Sequence, residues 1–313
     1  MVERDRARWL HRYSIFVAVA CFILVIAGGL VTSTGSGLAV PDWPLSYGRF
    51  FPPMEGGVFY EHGHRLVAAS VGFLTAILAF WLWFGQEKRF MKVLGVVALG
   101  MVISQAVLGG LTVLYKLPVP VSVGHALMGQ VFFSLLTVIA ALTKNSDRHH
   151  CPLFYDQWLR FLSLTSVGVV VVQLFLGALM RHAGAGLAIP DFPLAFGQVI
   201  PPLHDSLVRL HFSHRIGAMI VSCVLGATIL YGLRRFRGDS SIRGAVLRLA
   251  VLLCVQVILG ACTIWSAKAT VMATAHVAVG ALILAQSIVL TLSAFRDARS
   301  QSQAFPLTLQ AVS

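Results

Sequence analysis

The chain has 313 residues, 57% of them hydrophobic and only 12% charged, with a mean hydropathy of +0.81. Such values exclude a soluble globular domain and indicate a polytopic membrane protein. The formal charge of +12 does not signify nucleic-acid binding, because the basic residues fall in short segments between apolar runs, as the positive-inside rule describes.

The first twelve residues are polar and carry Arg4, Arg6, Arg8 and Arg12, and an apolar run from about Tyr13 to Val31 follows. That run is too long for a signal-peptide core of about 7–15 residues and suits an uncleaved span of about 20. Seven more spans are expected near residues 62–84, 91–114, 122–143, 159–180, 211–233, 246–266 and 270–294. They must be helices, since the runs lack the alternation of a barrel and no other single segment satisfies its own backbone in lipid. Cys21, Cys151, Cys223, Cys254 and Cys262 show no CxxC or metal spacing and need no function.

Of the 24 Lys and Arg residues, 17 fall on the side of the two termini and 7 on the other. Both termini are therefore expected in the cytoplasm, with connections 32–61 and 181–210 outside, periplasmic in a two-membrane bacterium.

Those two connections repeat each other. Gly37-Leu38-Ala39-Val40-Pro41-Asp42-Trp43-Pro44 reads against Gly186-Leu187-Ala188-Ile189-Pro190-Asp191-Phe192-Pro193. The match continues through His64-Arg65 with His214-Arg215, Gln105 with Gln256 and His125 with His276, at offsets of 149 to 151. Each unit holds four spans, an even number, so the repeats are parallel. The expected fold is an all-α integral membrane protein of eight transmembrane helices. They form two parallel-repeat four-helix bundles related by a pseudo-two-fold axis along the membrane normal. The expected divisions are 1–143, a cytoplasmic linker 144–160, 161–295 and a cytoplasmic tail 296–313.

His64, His125, His214 and His276 all fall near the outer starts of alternate spans, at one depth. A lone histidine there is ordinarily an interfacial or hydrogen-bonded residue. Two pairs recurring in a duplicated chain instead suit axial ligation of haem iron, one imidazole on each face of the macrocycle. Zinc or copper would want a third nearby ligand at the same depth, and the sequence offers none. Arg65 and Arg215 follow the first histidine of each pair and are candidate contacts for haem propionates; the plain alternative is that they snorkel to headgroups. Asp42 and Asp191 sit in Pro-Asp-aromatic-Pro turns and are expected to cap the local backbone. Gln105 and Gln256 are expected to make interhelical hydrogen bonds.

The halves differ at Glu61, three residues before His64 and so on its helical face, where the second half has His211. A carboxyl group beside a desolvated macrocycle can act as acid, base or stabiliser of developing positive charge. Its bland reading is an interfacial glutamate paired with Arg65. On this asymmetry the first half is the catalytic one.

With these motifs together the chain resembles the haem A synthase family of bacteria and mitochondria over nearly its whole length. The resemblance implies an oxidoreductase of the cell or inner membrane that oxidises the C8 methyl of haem O to a formyl group, giving haem A for the terminal respiratory oxidase. Two hydroxylations and loss of water from a geminal diol are the implied route. It further implies that His64 and His125 hold haem O, that His214 and His276 ligate a resident haem b, and that Glu61 is catalytic. The partners so implied are haem O, the enzyme that makes it, an electron acceptor and the lipid bilayer, with no nucleic acid. Many bacterial members carry a cysteine pair in the first outer loop; residues 32–61 here contain no cysteine, so a thiol-disulfide step in that loop is not expected. A two-haem b-type electron carrier to quinone, and a haem transporter that leaves the macrocycle unchanged, are the competing functions.

Overall fold

The computed structural model describes residues 2–144 and 156–304, with side chains over 5–144 and 156–295. Most of the expected linker at 144–160, and the end of the tail beyond 304, lie outside the described residues. Among the described residues there are eight α-helices: α1 Val2–Ser33, α2 Gly57–Gly85, α3 Arg89–Leu114, α4 Val119–Thr143, α5 Gln157–His182, α6 Ser206–Arg235, α7 Ser240–Trp265 and α8 Thr270–Ala304. Every one contains a stretch long and apolar enough to cross a membrane.

The helices outrun the apolar stretches expected from sequence at most of their ends. A span of about 20 residues fills the hydrocarbon layer, but the helical ladder continues through the interface while polar side chains and water satisfy the flanks. Thus α5 takes in Arg160, α8 passes residue 295, and α6 starts at Ser206, capped by Asp205 accepting from the Leu207 N–H.

Helix α1 packs against α2 and α4, and α3 closes the set against α2 and α4; α5 packs against α6 and α8, and α7 closes against α6 and α8. The sets meet where α1 and α4 touch α8 and where α4 touches α5. The α4 and α8 spans are 44% and 50% buried, against 17–28% for the other six, so these two helices are the central ones. Phe132, Leu136 and Ile139 of α4 anchor one core, with Ala281 and Ala285 of α8 joining it. Leu225, Leu249, Leu284 and Leu290 anchor the other. Outward faces carry exposed apolar side chains such as Phe73, Phe80, Ile103, Val172 and Ile258, the belt that lipid covers in a membrane protein.

Both long loops fold alike. Asp42 accepts from the Tyr47 and Gly48 N–H groups, and Asp191 from those of Phe196 and Gly197. Bridges Ser46–Arg49 and Ala195–Gln198 close the two turns. Tyr47 and Phe196 adopt positive φ in the same place, each followed by a glycine that does so at little cost. These backbone bonds hold both carboxyls below the usual aspartate range, the Gly48 N–H contributing most for Asp42 and the Gly197 N–H for Asp191. The capping role expected of both aspartates is what the loops contain.

Candidate functional site

His64, His125, His214 and His276 lie about two turns into α2, α4, α6 and α8, all at the end of the molecule that carries the long loops. Each ring rests on a glycine of the preceding helix. A Cβ on Gly28 would stand 3.1 Å from His64 Cε1; on Gly109, 3.2 Å from His125 Cε1; on Gly177, 3.0 Å from His214 Cε1; on Gly260, 3.2 Å from His276 Cε1. Any larger residue would push the imidazole, so four glycines set four ring positions. His125 is in electrostatic range of His64, and His276 of His214, which brings each sequence pair together in space.

Glutamines steady these histidines. Gln105 Nε2 donates to the His125 carbonyl at 3.0 Å, and Gln256 Nε2 lies 3.4 Å from His276 Nε2, both interhelical as expected. Gln173 of α5, which sequence reading passed over, donates to the His214 carbonyl at 2.9 Å and lies 3.1 Å from its Nδ1. Its counterpart by the 149-residue offset is Leu24, so duplication gave no signal for it. Gln173 also borders a cavity of about 450 Å³ between α5 and α6, with Phe212 and Ile216.

Nδ1 of His64, His125 and His276 is buried and lacks a hydrogen-bond partner. A buried, unspent imidazole nitrogen is costly. Packing against glycine therefore carries much of the positioning of these three rings, and their Nδ1 capacity is unspent. Among the described residues no group of three or more His, Cys, Asp or Glu is arranged to hold a bare metal ion. Two imidazoles per site, seated against glycine, fit the axial demand of a haem.

Arg65 and Arg215 turn their forks to the loops. Arg65 Nη1 donates to the Asp42 and Leu45 carbonyls at 2.7 and 2.9 Å, and Nη2 to Glu61 Oε1 at 2.6 Å. Arg215 donates to the carbonyls of Leu194 at 2.8 Å, Asp191 at 2.6 Å and Ile189 at 3.3 Å. Each arginine thereby straps a loop over the helix that carries the first histidine of its pair.

Glu61 is 4% exposed and fully engaged. Besides its ion pair with Arg65, its Oε2 accepts from the Val40 N–H at 2.9 Å. The second half reproduces this contact: His211, 2% exposed, accepts from the Ile189 N–H at 3.3 Å. What is private to the first half is therefore the charge rather than the bond. A further polar pair is also private to it. Ser46 Oγ lies 2.8 Å from His62 Nδ1, where the second half packs Ala195 near Phe212. His11 reaches the Ala140 carbonyl and joins α1 to α4.

A family described as cytochrome oxidase assembly protein (COX15-CtaA) matches residues 11–57 and 55–288. Among curated relatives, a protein named haem A synthase from Shouchella clausii is 30% identical over 244 residues, covering 74% of this chain and 78% of that protein. Its namesake from Alkalihalophilus pseudofirmus is 29% identical over 234 residues, covering 73% and 78%. One from Staphylococcus aureus is 25% identical over 311 residues, covering 97% of this chain and 100% of its own length.

Proposed function

The chain belongs to the COX15-CtaA family of cytochrome oxidase assembly proteins, and on that premise we propose how its residues perform the work of a haem A synthase. It is a membrane oxidoreductase that converts haem O to haem A. We assign haem O, the substrate, to His64 and His125 within residues 1–143, and a resident haem b to His214 and His276 within 161–295. The two sets of four helices are read as halves about a pseudo-two-fold axis along the membrane normal, joined by 144–160 and followed by the tail 296–313. The distribution of 17 basic residues against 7 supports cytoplasmic termini and haem sites toward the outer face.

One observation carries the reading: the same histidine-on-glycine seat occurs four times, twice in each half. In the first half His64 and His125 would hold the iron of haem O and so set the tilt of its macrocycle, while contacts at its rim would fix the rotation that places the C8 methyl group. The loop held by Asp42 and Arg65 covers this end and limits water. Glu61, kept as an acceptor by the Arg65 guanidinium and the Val40 N–H, stabilises positive charge that develops as the methyl carbon is oxidised by successive hydroxylation. Haem b, when bound, supplies one-electron transfer. In the second half His211 takes the loop contact of Glu61 without a carboxylate, which suits a site that holds a haem and leaves it unaltered.

The test is expression in a host that makes haem O but not haem A, followed by extraction and identification of the haems. Haem A or its hydroxylated precursor is the expected product. Bound haem b with haem O unaltered would instead make the chain a two-haem electron carrier.

A further inference from the structure

Arg181, in the last turn of α5, is the remaining arginine embedded at the loop end. Its Nη2 donates to the Gly29 carbonyl at 2.9 Å and to Ser33 Oγ at 2.7 Å, both in the last turns of α1. Ser33 Oγ lies 3.0 Å from Thr274 Oγ1 of α8, two residues before His276. The helices touch here, since a Cβ on Gly29 would come 3.0 Å from Thr274 Cγ2. Arg181 is in electrostatic range of His276, and the next residue, His182, of His125. The side chain thus stands at the junction of α1, α5 and α8, between the two histidine pairs.

Its bonding differs from that of Arg65 and Arg215, whose forks are occupied by loop carbonyls. A guanidinium has five N–H donors. Arg181 directs its bonds from one nitrogen, to neutral acceptors only. Arg8–Asp5, Arg65–Glu61 and Arg235–Asp156 form ion pairs among the described residues, and Arg181 joins none of them. A half-buried cation in an apolar bundle is costly without an opposite charge, and the negative end of the α1 dipole offsets only part of that cost. The position equivalent to Arg181 in the first half is Thr32, whose hydroxyl bonds the Gly28 carbonyl of its own helix. Arg181 is thus private to the second half, as Glu61 is to the first.

We propose that Arg181 binds a carboxylate of the haem held between His214 and His276, completing the ion pair that the protein leaves open at the seam of its halves. This rests on the assignment of a haem to that pair. A propionate offers two coplanar oxygens and one negative charge, the match for a guanidinium fork. A lipid phosphate shares the charge, and esterifying the haem separates the two sources.

The experiment uses full-length protein from haem-starved cells, carrying His64→Ala so that the second pair alone is loaded, and titrates it with haem b or haem b dimethyl ester. The Arg181-intact protein is expected to bind the free acid about 10- to 100-fold more tightly than the ester, the range of a charge-assisted contact. Arg181→Gln brings that ratio close to one, whereas Arg181→Lys keeps most of it. Ser33→Ala, which cuts the link to α1 but leaves the cation, keeps the full ratio. Because each ratio is taken within one variant, a general loss of folded protein does not change it. Equal binding of acid and ester by the Arg181-intact protein would assign Arg181 to a lipid or to the helix junction alone, and an undiminished ratio in Arg181→Gln would remove it from the site; either overturns the proposal. Haem binding that survives His276→Ala unchanged would overturn the assignment of the pair instead.

Discussion

Glu61 and His211 occupy equivalent positions in the two halves and hold the same peptide group of the overlying loop, Glu61 through the Val40 N–H and His211 through the Ile189 N–H. Both are almost wholly buried. A carboxylate is thus not needed to reach the loop, because an imidazole makes the corresponding contact in the other half, at 3.3 Å against 2.9 Å. The negative charge of Glu61 is left without a purely structural reason, apart from its pairing with Arg65.

Glu61→Gln keeps an acceptor oxygen for the Val40 N–H and removes the charge. Haem binding is expected to stay near that of the unmodified protein, while formation of haem A falls by about 10²–10³-fold, the usual loss when one electrostatic stabiliser is removed. Glu61→His, which copies the second half, is expected to behave the same way. Extracted haems and the absorbance of the purified protein measure the two effects separately. Unchanged turnover in Glu61→Gln would reduce Glu61 to a loop fastener.

The glycine seats predict a divided set of phenotypes. Placing a methyl group 3.0–3.2 Å from an imidazole carbon forces the ring to tilt. Overpacking of this kind costs about 1–3 kcal/mol, which is roughly a 5- to 150-fold loss of ligand affinity. Gly177→Ala and Gly260→Ala are expected to weaken or shift the haem b spectrum. Gly28→Ala and Gly109→Ala are expected to leave that spectrum intact and to lower turnover of haem O. Optical spectra of the four purified variants, set beside their product yields, decide the matter. Haem b loss in Gly28→Ala alone would reverse the assignment of the halves.

The eight spans were legible because lipid permits few backbone solutions, and the capping by Asp42 and Asp191 because a Pro-Asp-aromatic-Pro turn leaves a carboxylate few other partners. The interhelical bonds of Gln105 and Gln256 followed from an amide's cost in hydrocarbon. The seats did not show in the sequence: the chain has 28 glycines, and only packing reveals which of them face an imidazole. Gln173 went unnoticed for want of a counterpart in the first half. The loop straps of Arg65 and Arg215 depend on carbonyls some 20–26 residues away, whose direction is fixed only once the turn has folded.

The two loop aspartates give a pH prediction. Their folded-state pKa values lie below the ordinary 3.8, chiefly through the Gly48 and Gly197 N–H bonds. Their contribution to loop stability is therefore fully present above 3.8, and it is lost as the pH falls through the lower folded-state values. Protection of the Tyr47 and Gly48 amides from hydrogen exchange should be level from neutral pH down to about 4 and should decline only below it. Asp42→Asn is expected to lower the protection of both amides at neutral pH and to flatten its dependence on pH. A decline centred near pH 6 would point to a histidine and exclude Asp42 as the controlling group.

The Ser46–His62 contact, absent from the second half, yields the last prediction. His62 is 5% exposed, its Nδ1 is paired with Ser46 Oγ, and its Nε2 has no hydrogen-bond partner. Ser46→Ala would leave both ring nitrogens buried without partners, at a cost of about 1–3 kcal/mol. Ser46→Ala combined with His62→Phe installs the apolar pair that the second half already accommodates in Ala195 and Phe212. If the contact is only packing, the double variant regains most of the stability lost by the single one, and its turnover stays normal. If His62 serves the substrate, stability returns but formation of haem A does not. Thermal unfolding in detergent and product assays on the four members of this cycle separate the outcomes, because the coupling between the two positions is measured independently of the activity.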